Sequence, residues 1–166
     1  MRKRFHFALA VLATGIVFGN LATAADKLEN IPLMWKPTAP MSERSPVDLQ
    51  GLEGIKLQID PFTDKVEDPA FIGRNMNKVP VRRVTSKDDV ARFVTYQVKS
   101  IMSGLSLNVV ESGGDVILKG EVRKFFAEET NRYNAEVELQ ATLTDASGKI
   151  LWVVATTGRL NKGEVN

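Results

Sequence analysis

The sequence has no cysteine and a single histidine, His6. Without cysteine, no disulfide, thiolate nucleophile or cysteine-ligated zinc can form. His6 stands inside MRKRFHFALAVLATGIVFGNLATAAD, where three basic residues precede an apolar run and Ala22-Thr23-Ala24 precedes Ala25. That is the layout of a secretory leader over residues 1–24, with a run too short and too interrupted for a membrane span. Cleavage is expected after Ala24, which places the protein in the periplasm and removes its only histidine. Ser-His-Asp and Cys-His catalysis, a histidine general base and Cys/His zinc sites are then excluded for a single subunit.

An excess of charge is also missing. The 22 basic and 20 acidic residues give +2, and loss of Arg2, Lys3 and Arg4 with the leader brings the balance to −1. A near-neutral chain has no net field to attract nucleic acid, so none is expected as a partner. Nor is there a G-x-x-x-x-G-K-[ST], G-x-G-x-x-G or G-x-S-x-G motif, or an S-x-x-K after the leader. These absences leave no cofactor or catalytic signature to build on. About 140 residues remain after cleavage, enough for one domain stabilised by its core alone.

Residues 25–50 hold Pro32, Pro37, Pro40 and Pro46 and no sustained period, and read as an extended arm with Ile31, Leu33, Met34 and Trp35 as an apolar patch. The single domain is expected over 51–160, with 161–166 as a tail. In GIKLQIDPF, Ile55, Leu57 and Ile59 alternate with polar residues up to Pro61, which ends a strand. Residues 63–85 show no clear period and form either a binding loop or a loop hiding a short strand around Val81 to Val84. A helix is predicted over 87–103, where Val90, Phe93, Val94, Val98, Ile101 and Met102 recur at helical spacing. Ser86 is its N-cap candidate and Gly104 its left-handed stop.

Four strand segments follow: LSLNVVE, DVILKGEVRKFF, RYNAEVELQATLTD and KILWVVATTG. The third alternates Tyr133, Ala135, Val137, Leu139, Ala141 and Leu143 with polar residues throughout. In the second, Val116, Leu118, Gly120, Val122 and Phe126 share a dry side, against Lys119, Glu121 and Arg123 on a wet one. Gly120 leaves a gap for a large side chain, with Phe93 of the helix or a side chain from a neighbouring strand a natural filler. A hairpin looped at Glu129 to Arg132 would pair Arg123 with Glu138 and Glu121 with Gln140. The fold class is therefore α+β, a mostly antiparallel sheet with one helix on a face, in the order β-α-β-β-β-β.

The stretches IKLQIDPFTD, AFIGRN, VTSKDDVARFVTYQV, GLSLNVVE, DVILKGEVRKFF and YNAEVELQATLTDASGKILW together resemble the YajG-like lipoproteins of Gram-negative envelopes, over about residues 53–158. The resemblance implies an α+β domain near the outer membrane, accessory to envelope assembly or transport, and supplies no active-site residue. Members of that type carry a lipidated cysteine after the leader and continue past the last strand into a helix. This sequence has no cysteine and stops at LNKGEVN, so a lipid anchor is not expected.

The leading expectation is a non-enzymatic soluble periplasmic binding or scaffold protein, its partner another envelope protein or a second copy of itself. A lipid or small-ligand carrier, using the space between helix and sheet, is one alternative. A carboxylate-dependent hydrolase of cell-wall glycans, drawing on Asp60, Asp64, Glu67 and Asp68, is the other. The candidate binding residues are Phe71, Ile72 and Arg74 of the aperiodic stretch, with Trp35 and Trp152. One helix cannot cover four or five strands, so Leu139, Ala141, Ile150, Trp152 and Val154 are expected to need cover from the arm, a second copy or a partner, the last two preferred.

Overall fold

A computed structural model of the chain describes residues 28–34, 52 and 54–162. The expected leader, Trp35 with the rest of the arm, and the last four residues lie outside the described residues. In chain order the elements are β1 (Lys56–Ile59), β2 (Thr63–Asp64), β3 (Phe71–Asn75), β4 (Arg82–Thr85), α1 (Val90–Gly104), β5 (Asn108–Val110), β6 (Val116–Glu129), β7 (Tyr133–Asp145) and β8 (Ile150–Lys162).

The long strand β6 organises the sheet. On one side it pairs antiparallel with β7, and β7 in turn with β8. On its other side three short strands follow one another, all parallel to it: β1 beside Val116 to Leu118, β2 beside Glu121 and Val122, and β3 beside Ala127 to Glu129. β5 adds in parallel to β1, and β4 antiparallel to β3. The fold is α+β, with one helix and a strand-rich mixed sheet. It departs from the order β-α-β-β-β-β because β2, β3 and β4 intervene before the helix. The sheet is antiparallel over most of its paired length, through β6, β7 and β8, and adds four short parallel pairings. Strands of two to five residues held by a distant partner carry no local period that a sequence could reveal. Of the two readings of residues 63–85, the hidden strand is close to β4.

β5 and β6 do not form a hairpin, since β1 runs between them. The intervening turn crosses β1 at Gly114, where a Cβ would lie 2.6 Å from the Cβ of Gln58. Only glycine permits that approach. Asp115 then anchors the crossing by accepting from the Lys56 N–H at 2.8 Å.

Between β6 and β7 the register pairs Glu121 with Gln140 as the hairpin argument requires, but it shifts between Val122 and Lys124. The extra residue of such a bulge reverses the alternation beyond it. Lys124, not Arg123, therefore faces Glu138, and Phe125, not Phe126, turns into the core. The gap at Gly120 is filled by Phe62, whose ring occupies the space a Cβ would take. Phe93 instead meets Phe125 edge to face, with centroids 6.3 Å apart.

Helix α1 begins three residues later than the sequence suggests. Asp89 caps it, accepting from the Arg92 N–H at 2.8 Å. Ser86 is buried in a preceding turn, where its Oγ accepts from the Asp88 N–H at 3.1 Å. Gly104 is the last helical residue, and the left-handed conformation falls on Ser106 (φ 62°). The helix lies against β6, β5 and β2 and buries Val90, Val94, Val98, Ile101 and Met102. Thr95 links it to the sheet: its Oγ1 donates to the Ala91 carbonyl at 2.7 Å and accepts from the Phe62 N–H at 2.9 Å.

Part of the arm docks along the outer edge of β4. Thr85 donates its N–H to the Leu28 carbonyl and accepts from the Ile31 N–H, while the Leu33 N–H donates to Asp88 Oδ2 at 2.7 Å. Leu28, Ile31 and Leu33 pack against the core. The expectation of an exposed apolar side on β7 and β8 does not hold. Leu139, Ala141 and Trp152 are buried within the single chain, Val154 is half-buried, and Ile150 alone of the five is exposed. Cover comes from within the chain and not from a second copy or a partner. Leu52 before β1 and Phe62 after it contribute buried side chains to the same core, so less is left for α1 to cover.

Candidate functional site

The bulge that turns Phe125 inward leaves Phe126 on the opposite face of β6, where it meets Phe71 edge to face at a centroid separation of 5.3 Å. Arg83 of β4 stands over the Phe71 ring at 4.1 Å and Arg74 of β3 over the Phe126 ring at 5.9 Å. Each guanidinium is also ion-paired, Arg83 with Asp68 and Arg74 with Glu128. Two of the expected binding residues, Phe71 and Arg74, thus come together, but in a strand and not a loop. Ile72 is not with them. A second bulge, between Phe71 and Gly73, sends it into the core, where it is 1 % exposed. Trp152 lies buried on β8, and Trp35 falls outside the described residues.

Further along this face, Glu136 of β7 accepts from both Lys124 of β6 and Arg159 of β8. Those hydrogen bonds, Lys124 first, hold its carboxyl below the ordinary glutamate value. The clamp ties three strands together in place of the expected Arg123–Glu138 pair. Arg123 instead bonds Glu121 on its own strand at 3.3 Å. At the β7–β8 turn, the Ser147 hydroxyl, with the Lys149 and Ser147 N–H groups, lowers the pKa of Asp145. Burial, and then the charge of Glu129, raise that of the Tyr133 phenol.

Three of the four candidate carboxylates after β1 have structural occupations, and Glu67 is exposed. Asp60 accepts from Gln58 Nε2 at 2.7 Å, Asp64 from the Val66 N–H at 2.8 Å, and Asp68 holds Arg83. Among the described residues, no three His, Cys, Asp or Glu side chains converge as a metal site would, and no helix is long and apolar enough to cross a membrane.

What sequence reasoning missed is the loop joining β3 to β4. In Met76-Asn77-Lys78-Val79-Pro80-Val81 every residue is exposed, Val79 fully and Met76 and Val81 to 41 % and 49 %. Its base is braced. Asn75 donates to Glu129 Oε2 at 2.8 Å and accepts from the Asn77 N–H at 2.9 Å, while the Met76 N–H donates to the Glu129 carbonyl and Asn77 Nδ2 to that of Thr130. The loop therefore stands beside the β6–β7 turn at one end of the sheet, with Lys78 on the loop and Arg132 on the turn, both exposed. An apolar residue on either side of Pro80 was the available signal, but a valine beside a proline reads equally as the start of an edge strand.

No family model matches the sequence, and no curated protein matches it. Among solved structures, the fold is similar to that of protein XCC0632 from Xanthomonas campestris, of the DUF330 family, with a TM-score of 0.52, 11 % identity, and 68 % of this chain and 70 % of that one covered. Lipoprotein GNA1162 from Neisseria meningitidis overlaps with a TM-score of 0.36 and 14 % identity, over 68 % of this chain and 87 % of its own. The α+β arrangement built on β6 is thus a fold shared with a DUF330 protein.

Proposed function

We propose that the protein is a non-enzymatic binding or scaffold component of the Gram-negative periplasm, YajG-like and accessory to envelope assembly or transport, and that the β3–β4 loop is its docking element. The observation that carries this reading is the braced loop: three aliphatic side chains held out in solvent on a base tied by hydrogen bonds. Exposed apolar residues grouped at one point mark interaction sites more often than those scattered singly, and a pre-formed loop loses little entropy on binding. The leader, removed after Ala24, supplies the location. A carrier would need open space between helix and sheet. Phe62 fills that space above Gly120, and Val94, Val98, Leu118 and Val122 around it are buried, which favours surface docking.

The absence of cysteine makes the test direct, because any introduced thiol is unique. A thiol-linked photo-crosslinker on Val79→Cys is expected to form an adduct with another envelope component in intact cells, whereas one on Tyr96→Cys, exposed on α1, is not. Equal labelling at both positions, or none at Val79, would remove the docking role.

A further inference from the structure

Building on that docking role, we infer that the surface the loop meets is the anionic headgroup layer of a phospholipid bilayer. Size is the first argument. A stable protein–protein interface takes about 800 Å² from each partner and relies on aromatic and arginine anchors at its centre. The tip offers Met76, Val79 and Val81 and no aromatic residue. A bilayer demands no shape complement, since each aliphatic side chain entering the headgroup–acyl boundary gains on its own account.

Charge is the second argument. From Met76 to Arg83 the chain carries Lys78, Arg82 and Arg83 and no acidic residue, and Arg132 adjoins from the neighbouring turn. Of the nearby carboxylates, Asp68 is paired with Arg83 and Glu128 with Arg74, while Glu129, hydrogen-bonded to the neutral Asn75, keeps its charge and is outnumbered by Lys78 and Arg132. Among the described residues Lys78 and Arg132 make no ion pair. Aliphatic side chains flanked by cations on an exposed loop suit a surface that is apolar below and negative at its rim. Among the described residues the other exposed apolar side chains lack this setting, Met34 in the arm included. Tyr96 stands alone on α1, and Ile150 and Val153 lie on β8.

The test uses the full chain carrying an environment-sensitive fluorophore on Val79→Cys, with Tyr96→Cys as the control. Vesicles of phosphatidylcholine mixed with phosphatidylglycerol should raise and blue-shift the emission at position 79 and leave position 96 unchanged, and vesicles of phosphatidylcholine alone should do neither. Lys78→Gln should weaken the response about fivefold, the factor expected for one cation near an anionic surface, and high salt should suppress it. A silent label at position 79, an equal response at both positions, or indifference to lipid charge would overturn the inference. A silent label together with a protein adduct at position 79 in cells would overturn the lipid assignment and leave the docking role standing. Silence in both experiments would remove both.

Discussion

Adding one methyl group to Gly120 tests the packing on which the whole sheet depends. Gly120 sits mid-strand in β6 without a positive φ, so alanine brings no backbone strain and the effect is one of space alone. A Cβ built there falls within 3.0 Å of Cδ2, Cε2 and Cζ of Phe62, so the ring must move. It cannot move freely, because the Phe62 N–H is fixed on Thr95 Oγ1 of the helix at 2.9 Å and the side chain is buried. Overpacking of this kind costs about 1–3 kcal/mol, which lowers the melting temperature by roughly 3–12 °C in a domain of this size. Urea denaturation followed by circular dichroism measures it. Phe62→Ala alone should cost about 3–5 kcal/mol for the lost ring and the cavity left behind. In the Gly120→Ala background it should cost at least about 1 kcal/mol less, since the methyl then occupies vacated space. Wild-type stability for Gly120→Ala, or strict additivity in the double mutant, would falsify the assignment of Phe62 to this gap.

Three further outcomes are expected. Thr95→Val keeps the shape but leaves the Phe62 N–H without its buried acceptor, and should cost about 1–3 kcal/mol by the same assay. Glu136 is held below its ordinary value of 4.5 by Lys124 and Arg159, so its clamp stabilises the fold above that pH and loses this contribution as pH falls through the lower folded value. The stability gap between wild type and Glu136→Gln should therefore shrink between about pH 7 and about pH 3, and a constant gap would contradict the reasoning. Ile72→Ser should destabilise by about 3–5 kcal/mol because it opens a cavity and buries a hydroxyl, whereas Phe71→Ser, on the opposite face, should cost clearly less. Equal losses would mean that the bulge in β3 is misplaced.

The long alternation of β7 and the helical spacing of α1 were legible because both are local. A period of two or of 3.6 is visible in any run of a dozen residues. The helix start is not legible because Ser86 and Asp89 are both good cap residues, and only burial of the turn containing Ser86 chooses between them. The alternation puts Phe126 on the wrong face because the bulge at Arg123 lies in the run VRKFF, whose two adjacent aromatics suit either parity. The exposed tip of the β3–β4 loop is hidden for a related reason. Met76, Val79 and Val81 are ordinary core residues by type, and their exposure follows from Asn75 and Asn77 tying the loop to Glu129 and Thr130, more than fifty residues away.

By itself, then, the sequence determined that no cysteine chemistry is available, the amphipathic helix, and the paired long strands, since each rests on residue types or on contacts close along the chain. Tertiary structure alone decided that three short strands line up in parallel along β6, that Phe62 and not Phe93 fills the gap at Gly120, and which side chains of the 63–85 stretch face water. Those outcomes depend on partners far apart along the chain and on single-residue shifts of register, and a shift of one residue moves a side chain from core to solvent without altering the pattern that encodes it.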